Sequence, residues 1–229
     1  MPTFPSAVLT SGGLDSAILV AHQARLGGEV SPIYIRSGLA WESVELEHLH
    51  RYLHAIHPHF PNLQPLVVLD QPTRDLYGVH WSTTGEKVPD ASTPDEAVYL
   101  PGRNLLLTLK GLLWCHLHGV KQLALGVLSS NPFPDASPAF FQHFAAAIGE
   151  GVNDPQLRIL TPFGQLHKVE VMQHGQGLPL ELSFSCIQPV DGLHCGRCNK
   201  CAERIKAFHD TGMKDGTEYR RQNPEVSNQ

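Results

Sequence analysis

The chain has 229 residues, 41% of them hydrophobic, and a formal net charge of −5 at neutral pH. That length fits one large domain or a domain with a small appendage, and the apolar content suffices for a real core. The acidic balance leaves no basic footprint for duplex nucleic acid, and no run of about 18 apolar residues offers a membrane span. The opening MPTFPS lacks a basic region followed by an apolar stretch, so a soluble, cytoplasmic protein is expected.

The run Ala7–Thr10 has strand character and ends in Ser11-Gly12-Gly13, and a helical pattern follows from Leu14 to about Leu26. Two adjacent glycines let the backbone turn sharply and come close to a ligand. The helix N-terminus beyond them offers unpaired N–H groups and partial positive charge to a phosphate. Ser11 and Ser16 add hydroxyl donors, and Asp15 is suited to cap the helix or to hold a Mg²⁺ ion. No lysine follows the glycines, which separates this loop from the Gly-x-x-x-x-Gly-Lys-Ser/Thr type. An ordinary strand–turn–helix junction is the plain alternative.

Val30–Arg36 reads as a second strand, Glu42 to about Ile56 as a helix closed by His57-Pro58, and Leu66–Leu69 as a third strand. Asp70–Tyr99 carries prolines at 72, 89 and 94 and no sustained period, which suits a substrate-covering loop or a surface excursion. Arg103–His118 is nearly all apolar and predicts a buried helix. Lys121–Val127 is strand four, followed by the Pro- and Ser-rich loop Ser129–Pro138 and a helix from Ser137 to about Gly149. Leu157–Leu160 is strand five, and His167 to about Gly175 is a helix. This alternation predicts an α/β fold, a doubly wound, mostly parallel five-stranded sheet, over residues 1–180. Loops after Thr10, Arg36, Leu69, Val127 and Leu160 then converge on one site. Five histidines crowd positions 48–59; His50, His54 and His57 share a helical face, which suits a solvated surface better than a second metal site.

Four of the five cysteines follow the pattern Cys186-x8-Cys195-x2-Cys198-x2-Cys201. Four thiolates at this spacing predict a closed, structural Zn²⁺ site in segment 181–229, with an iron–sulfur cluster as the rival. Cys115 lies inside the apolar helix and reads as a core residue. The polar stretch from Asp215 reads as a frayed tail.

SGGLDS resembles the pyrophosphate loop (PP-loop) of the ATP pyrophosphatase superfamily, whose members cleave ATP to AMP and pyrophosphate. Further matches follow in order: Tyr99-Leu100-Pro101-Gly102-Arg103-Asn104, Thr161-Pro162 with Lys168, Phe184-Ser185-Cys186, and CGRCNKCAERIKAF with Arg204 and Phe208. Together they resemble the 7-cyano-7-deazaguanine synthase family of queuosine-precursor biosynthesis, over Ala7 to Phe208. The resemblance implies a homodimer with one structural zinc per chain, small-molecule substrates, and an ATP-dependent ligase. Such an enzyme adenylates a deazaguanine carboxylate, forms the amide with ammonia, and dehydrates it to a nitrile with a second ATP. ATP would sit on Ser11, Gly12, Gly13, Leu14, Asp15 and Ser16. Two segments depart from the family pattern. Ser37-Gly38-Leu39-Ala40-Trp41-Glu42 stands where Gln-Arg-His is usual, and Phe133-Pro134-Asp135-Ala136-Ser137 stands for Tyr-Pro-Asp-Cys-Arg. A related or different carboxylate is therefore open as substrate.

Residue chemistry adds its own argument. A carboxylate has a poor oxide leaving group, and transfer of AMP to it solves this while Mg²⁺ and loop N–H groups stabilise the departing pyrophosphate. Lys168 and Arg103 are the cations expected against phosphate oxygens; a solvated Lys168 and an Arg103-Asn104 helix cap are the alternatives. Asp135 suits a guanine-like edge or a cap for the helix beginning near Ser137. Trp41 and Phe133 suit stacking on a flat heterocycle or core packing. A sulfur-transferring activity on tRNA needs a cysteine outside the cluster, and only Cys115 remains.

Overall fold

The computed structural model describes residues 4–220. Its sheet contains β1 (Ser6–Leu9), β2 (Val30–Arg36), β3 (Val67–Asp70), β4 (Gln122–Ala124) and β5 (Arg158–Leu160), in the order β3-β2-β1-β4-β5. Every pairing is parallel, with Ser6 opposite both Val30 and Gln122. The order reverses at β1, so a crevice opens between the ends of β1 and β4, where α/β sheets bind ligands.

Successive residues on a strand face opposite ways. Val8, Tyr34 and Ala124 enter one apolar cluster, beneath α1 (Leu14–Arg25), α2 (Glu42–Ile56), α7 (Lys168–His174) and α8 (Asn199–Thr211). Ala7, Ile33, Ile35, Leu123 and Leu125 enter the other, beneath α5 (Arg103–Leu117) and α6 (Pro138–Gly151). The doubly wound sheet expected from the alternating periods is present. Strand four is shorter than its apolar run, although Leu125 N–H still donates to Leu160 O. α6 begins where the Ser-Pro pair placed it: Ser137 Oγ accepts from Phe140 N–H.

Three expectations are corrected. Only Thr108, Gly111, Leu112 and Cys115 of α5 are buried, because one side of this apolar helix faces outward, with Leu105 and Leu117 exposed. The stretch Asp70–Tyr99 is not without regular structure. It forms two single-turn helices, α3 (Arg74–Tyr77) and α4 (Trp81–Thr84), and a 3₁₀ turn at Asp95–Val98. The chain from Asp215 to Arg220 is not frayed either: Tyr219 bridges to His194 and donates to Asp215 Oδ2 at 2.7 Å. Residues 221–229 of that tail lie outside the described residues.

α8 is fastened to the sheet domain by Arg204, which is only 1% exposed. Its guanidinium donates to Leu180 O at 2.7 Å, Ser183 Oγ at 2.9 Å, Ser185 Oγ at 3.3 Å and Thr217 Oγ1 at 2.8 Å. A buried cation is tolerated when its donors are satisfied in this way. Replacing Arg204 by Met strands those acceptors, and the expected loss is about 3 kcal/mol of unfolding free energy, read by denaturant titration.

Candidate active site

A cavity of about 340 Å³ opens at the crevice between β1 and β4. Its floor is the turn Ser11–Ser16. Gly12 adopts φ +82°, a left-handed conformation that a side chain resists. Gly13 is the N-cap of α1, and no side chain caps that first turn. The helix therefore presents unclaimed N–H groups and the positive end of its dipole to the cavity. Asp15 does not cap the helix. Ser16 Oγ donates to Gly13 O and meets Ser11 Oγ at 3.2 Å, which holds both hydroxyls beside the turn. Gly126 closes the floor from the end of β4: a Cβ there would lie 3.2 Å from the Asp15 carbonyl carbon and press on the first turn of α1.

Lys168, at the start of α7, donates to both oxygens of Asp15, at 2.8 and 2.7 Å, and lies 3.1 Å from Glu203. Glu203 also pairs with Lys200 at 2.7 Å. Burial opposes the charge on Lys168, yet Asp15 and Glu203 hold its pKa above the ordinary lysine value. Burial likewise works against Glu203, but Lys168 and Lys200 bring it down to about 2. The cluster is thus a charged lattice of two lysines and two carboxylates at the loop. Sequence reading named Lys168 and Asp15 but not Lys200 and Glu203. The signal available was their three-residue spacing on α8, one position before Arg204.

The other walls are apolar and aromatic. Trp41 lines the cavity and stacks on Trp81 with centroids 5.8 Å apart, and Phe133 stacks on Tyr99 at 4.8 Å. Trp81 and Tyr99 come from the long connection after β3, which covers this side of the cavity. The connection is tied to the cysteine segment by Ala91 N–H to Arg197 O and by Asn199 N–H to Pro89 O.

Arg103 and Asp135 also line the cavity, with a different division of labour from the one expected. The N-cap of α5 is Gly102, and Asn104 does not cap the helix. Its N–H instead donates to Asp135 Oδ2 at 3.0 Å, and its Nδ2 to Oδ1 at 3.3 Å. Asp135 therefore satisfies the first turn of α5 rather than α6, whose cap is Ser137. Among the described residues, Arg103 Nε is buried without a hydrogen-bond partner.

Behind the loop, Phe184 N–H donates to Gly12 O at 2.7 Å. Two residues on, Cys186 joins Cys195, Cys198 and Cys201; their sulfurs lie within 4.8 Å of one another, and all four residues are buried. Two sulfur pairs stand 3.9 Å apart, close to the edge of about 3.8 Å in a tetrahedron of 2.3 Å Zn–S bonds. Backbone N–H groups of Gln188, Cys195, Arg197 and Cys198 point at these sulfurs. The set can hold a metal such as zinc. Among the described residues, the 48–59 histidines form no metal cluster: His50, His54 and His57 are exposed, and His48 contacts Gly192 O. Cys115 is buried, and burial pushes its thiol up to about 12, so it is inert as a sulfur carrier.

A family model described as queuosine biosynthesis protein QueC matches residues 6–212. The chain belongs to the QueC family. Among curated relatives, a 7-cyano-7-deazaguanine synthase of Xylella fastidiosa (strain M23) is 32% identical over 93% of this chain and 94% of its own length. One of Leptospira interrogans is 30% identical over 92% and 88%. A solved 4-thiouridine synthetase–RNA complex with bound ATP aligns with 91% of this chain and 50% of that chain, at TM-score 0.47 and 14% identity. The cavity of this member carries a charged lattice at the loop and builds its aromatic side from Trp41, Trp81, Tyr99 and Phe133.

The cap role of Asp135 is checked by Asp135→Ala. The expected loss is about 1 kcal/mol of stability, measured by thermal melting, with α5 fraying at its first turn.

Proposed function

We propose that this protein converts 7-carboxy-7-deazaguanine to 7-cyano-7-deazaguanine at the expense of ATP, with ammonia as the nitrogen source. The observation that carries the reading is Lys168, gripping Asp15 at the uncapped start of α1 inside the crevice cavity. That arrangement offers N–H donors and cations to a polyphosphate. Ser11, Gly12, Gly13, Leu14, Asp15 and Ser16 hold the phosphates, and Lys168 follows negative charge as pyrophosphate departs. Mg²⁺ fits beside the carboxylate of Asp15. Arg103 offers its unpartnered Nε to anionic oxygens of the activated carboxylate. The aromatic walls with Trp41 and Phe133 receive the flat heterocycle, and Asp135 keeps lone pairs for its donors.

The fold reading extends to residues 181–229 as a zinc-binding appendage, with Zn²⁺ on Cys186, Cys195, Cys198 and Cys201. Zinc with four protein ligands takes no part in the chemistry; its binding energy becomes folding energy. The active form is a homodimer in the cytoplasm, and the outward apolar side of α5 is the surface a second copy covers.

Incubation with ATP, Mg²⁺, ammonium and 7-carboxy-7-deazaguanine is expected to yield AMP, pyrophosphate and the nitrile, scored by mass spectrometry. Absence of AMP sinks the reading. In Gly13→Ala the added Cβ meets only Ser11 Oγ at 3.5 Å and the Phe184–Ser185 backbone and hydroxyl beyond it, so the fold is kept. Its methyl obstructs phosphate approach, and AMP formation is expected to fall by about two orders of magnitude. Elemental analysis is expected to find one zinc per chain, and Cys198→Ser to lose the metal and much of the thermal stability.

A further inference from the structure

Glu45 is a cavity carboxyl to which the reading above gives no task. It sits in the first turn of α2, 8% exposed, and lines the cavity. Tyr34 OH, from β2, donates to its Oε2 at 2.7 Å, and Trp41 lines the cavity beside it. Arg103 faces it from α5, and Glu42 from its own helix. Burial dominates this balance and pushes the Glu45 carboxyl up to about 7.

Amide formation needs a base. Ammonium, the main form of ammonia at neutral pH, has no lone pair until a proton is removed. None of the residues lining the cavity is a histidine. Asp15 and Glu203 are committed to lysines. Glu42 accepts from Ser37 and Gly38 N–H and lies 3.7 Å from Arg36, so it serves the turn after β2. Asp135 holds the start of α5. Among the described residues, Glu45 is the one cavity carboxyl that accepts from neither a lysine nor a backbone N–H, and a base works best when its pKa lies near the working pH.

We infer that Glu45 binds the incoming ammonium and takes its proton. This rests on the proposed carboxylate activation. One proton passes from ammonium to a Glu45 oxygen, and the freed nitrogen lone pair forms the C–N bond at the acyl-adenylate carbon. The C–O bond to AMP then breaks, and the departing phosphate takes the second proton from nitrogen, leaving the neutral amide.

The test compares two nucleophiles in wild type and Glu45→Gln. Hydroxylamine is already a neutral amine at neutral pH and needs no deprotonation before attack. In Glu45→Gln, kcat/KM for ammonium is expected to fall by about a hundredfold or more, and that for hydroxylamine at most severalfold. Equal losses for both nucleophiles, or an unchanged ammonium rate, overturn the inference. ATP–pyrophosphate exchange driven by the carboxylate is measured in wild type alongside; its absence refutes the proposed function, whereas exchange with equal nucleophile losses refutes only the role of Glu45. Tyr34→Phe provides a second variant should Glu45→Gln fold poorly. Removing the donor that stabilises the Glu45 charge raises its pKa further, so the ammonium-dependent rate, which needs the carboxylate, shifts its rise to higher pH. The hydroxylamine profile stays in place. Identical profiles for wild type and Tyr34→Phe with ammonium also overturn it.

Discussion

A guanidinium buried to 1% exposure must have its donors matched or the fold loses several kcal/mol, and Arg204 meets this condition with four oxygens drawn from two stretches of chain, Leu180–Ser185 and Thr217. Ser183 and Ser185, two of those acceptors, flank Phe184, whose N–H donates to Gly12 O in the loop. The next residue, Cys186, is one of the four clustered cysteines. One residue before Arg204 on the same helix, Glu203 meets Lys168. Arg204 thereby sets the distance between the cysteine cluster and the charged lattice, and α8 behaves as a strut between them.

The cavity has two chemically different parts. At the loop, Asp15, Lys168, Glu203 and Lys200 form a lattice in which every charge is answered, so desolvation is tolerated before any ligand arrives. Around Glu45, charges are not answered in the same way: among the described residues the carboxyl accepts from Tyr34 OH, and Arg103 Nε has no hydrogen-bond partner. Polar groups left in that state in a folded protein point to a partner that arrives with the reactants. The aromatic pairs Trp41–Trp81 and Tyr99–Phe133 add flat apolar surface, half of it contributed by the long connection after β3.

The segments that depart from the family pattern are not vacant. After β2, Glu42 takes the backbone N–H groups of Ser37 and Gly38, and Trp41 enters the cavity wall. After β4, the retained Asp135 is drawn into capping α5. Both segments are ordered and bring Trp41 and Asp135 to the cavity wall.

Local patterns were enough to place the parallel α/β sheet, the loop Ser11–Ser16 and the four cysteines. The reason is physical: strand and helix periods, a Gly-Gly turn and thiolate spacing are properties of contiguous residues. The exposed side of α5 was not legible, since a run of leucines records hydrophobicity and not which neighbour covers it. The same holds for Asp135, a suitable cap for the adjacent helix by spacing but joined to α5 by a contact across 31 residues. Glu45 differs from Glu42 and Glu47 in no local feature; only the tertiary packing around it, with Tyr34 donating to it, raises its pKa. Long-range desolvation and pairing depend on the positions of distant side chains, and the tertiary structure alone decides them.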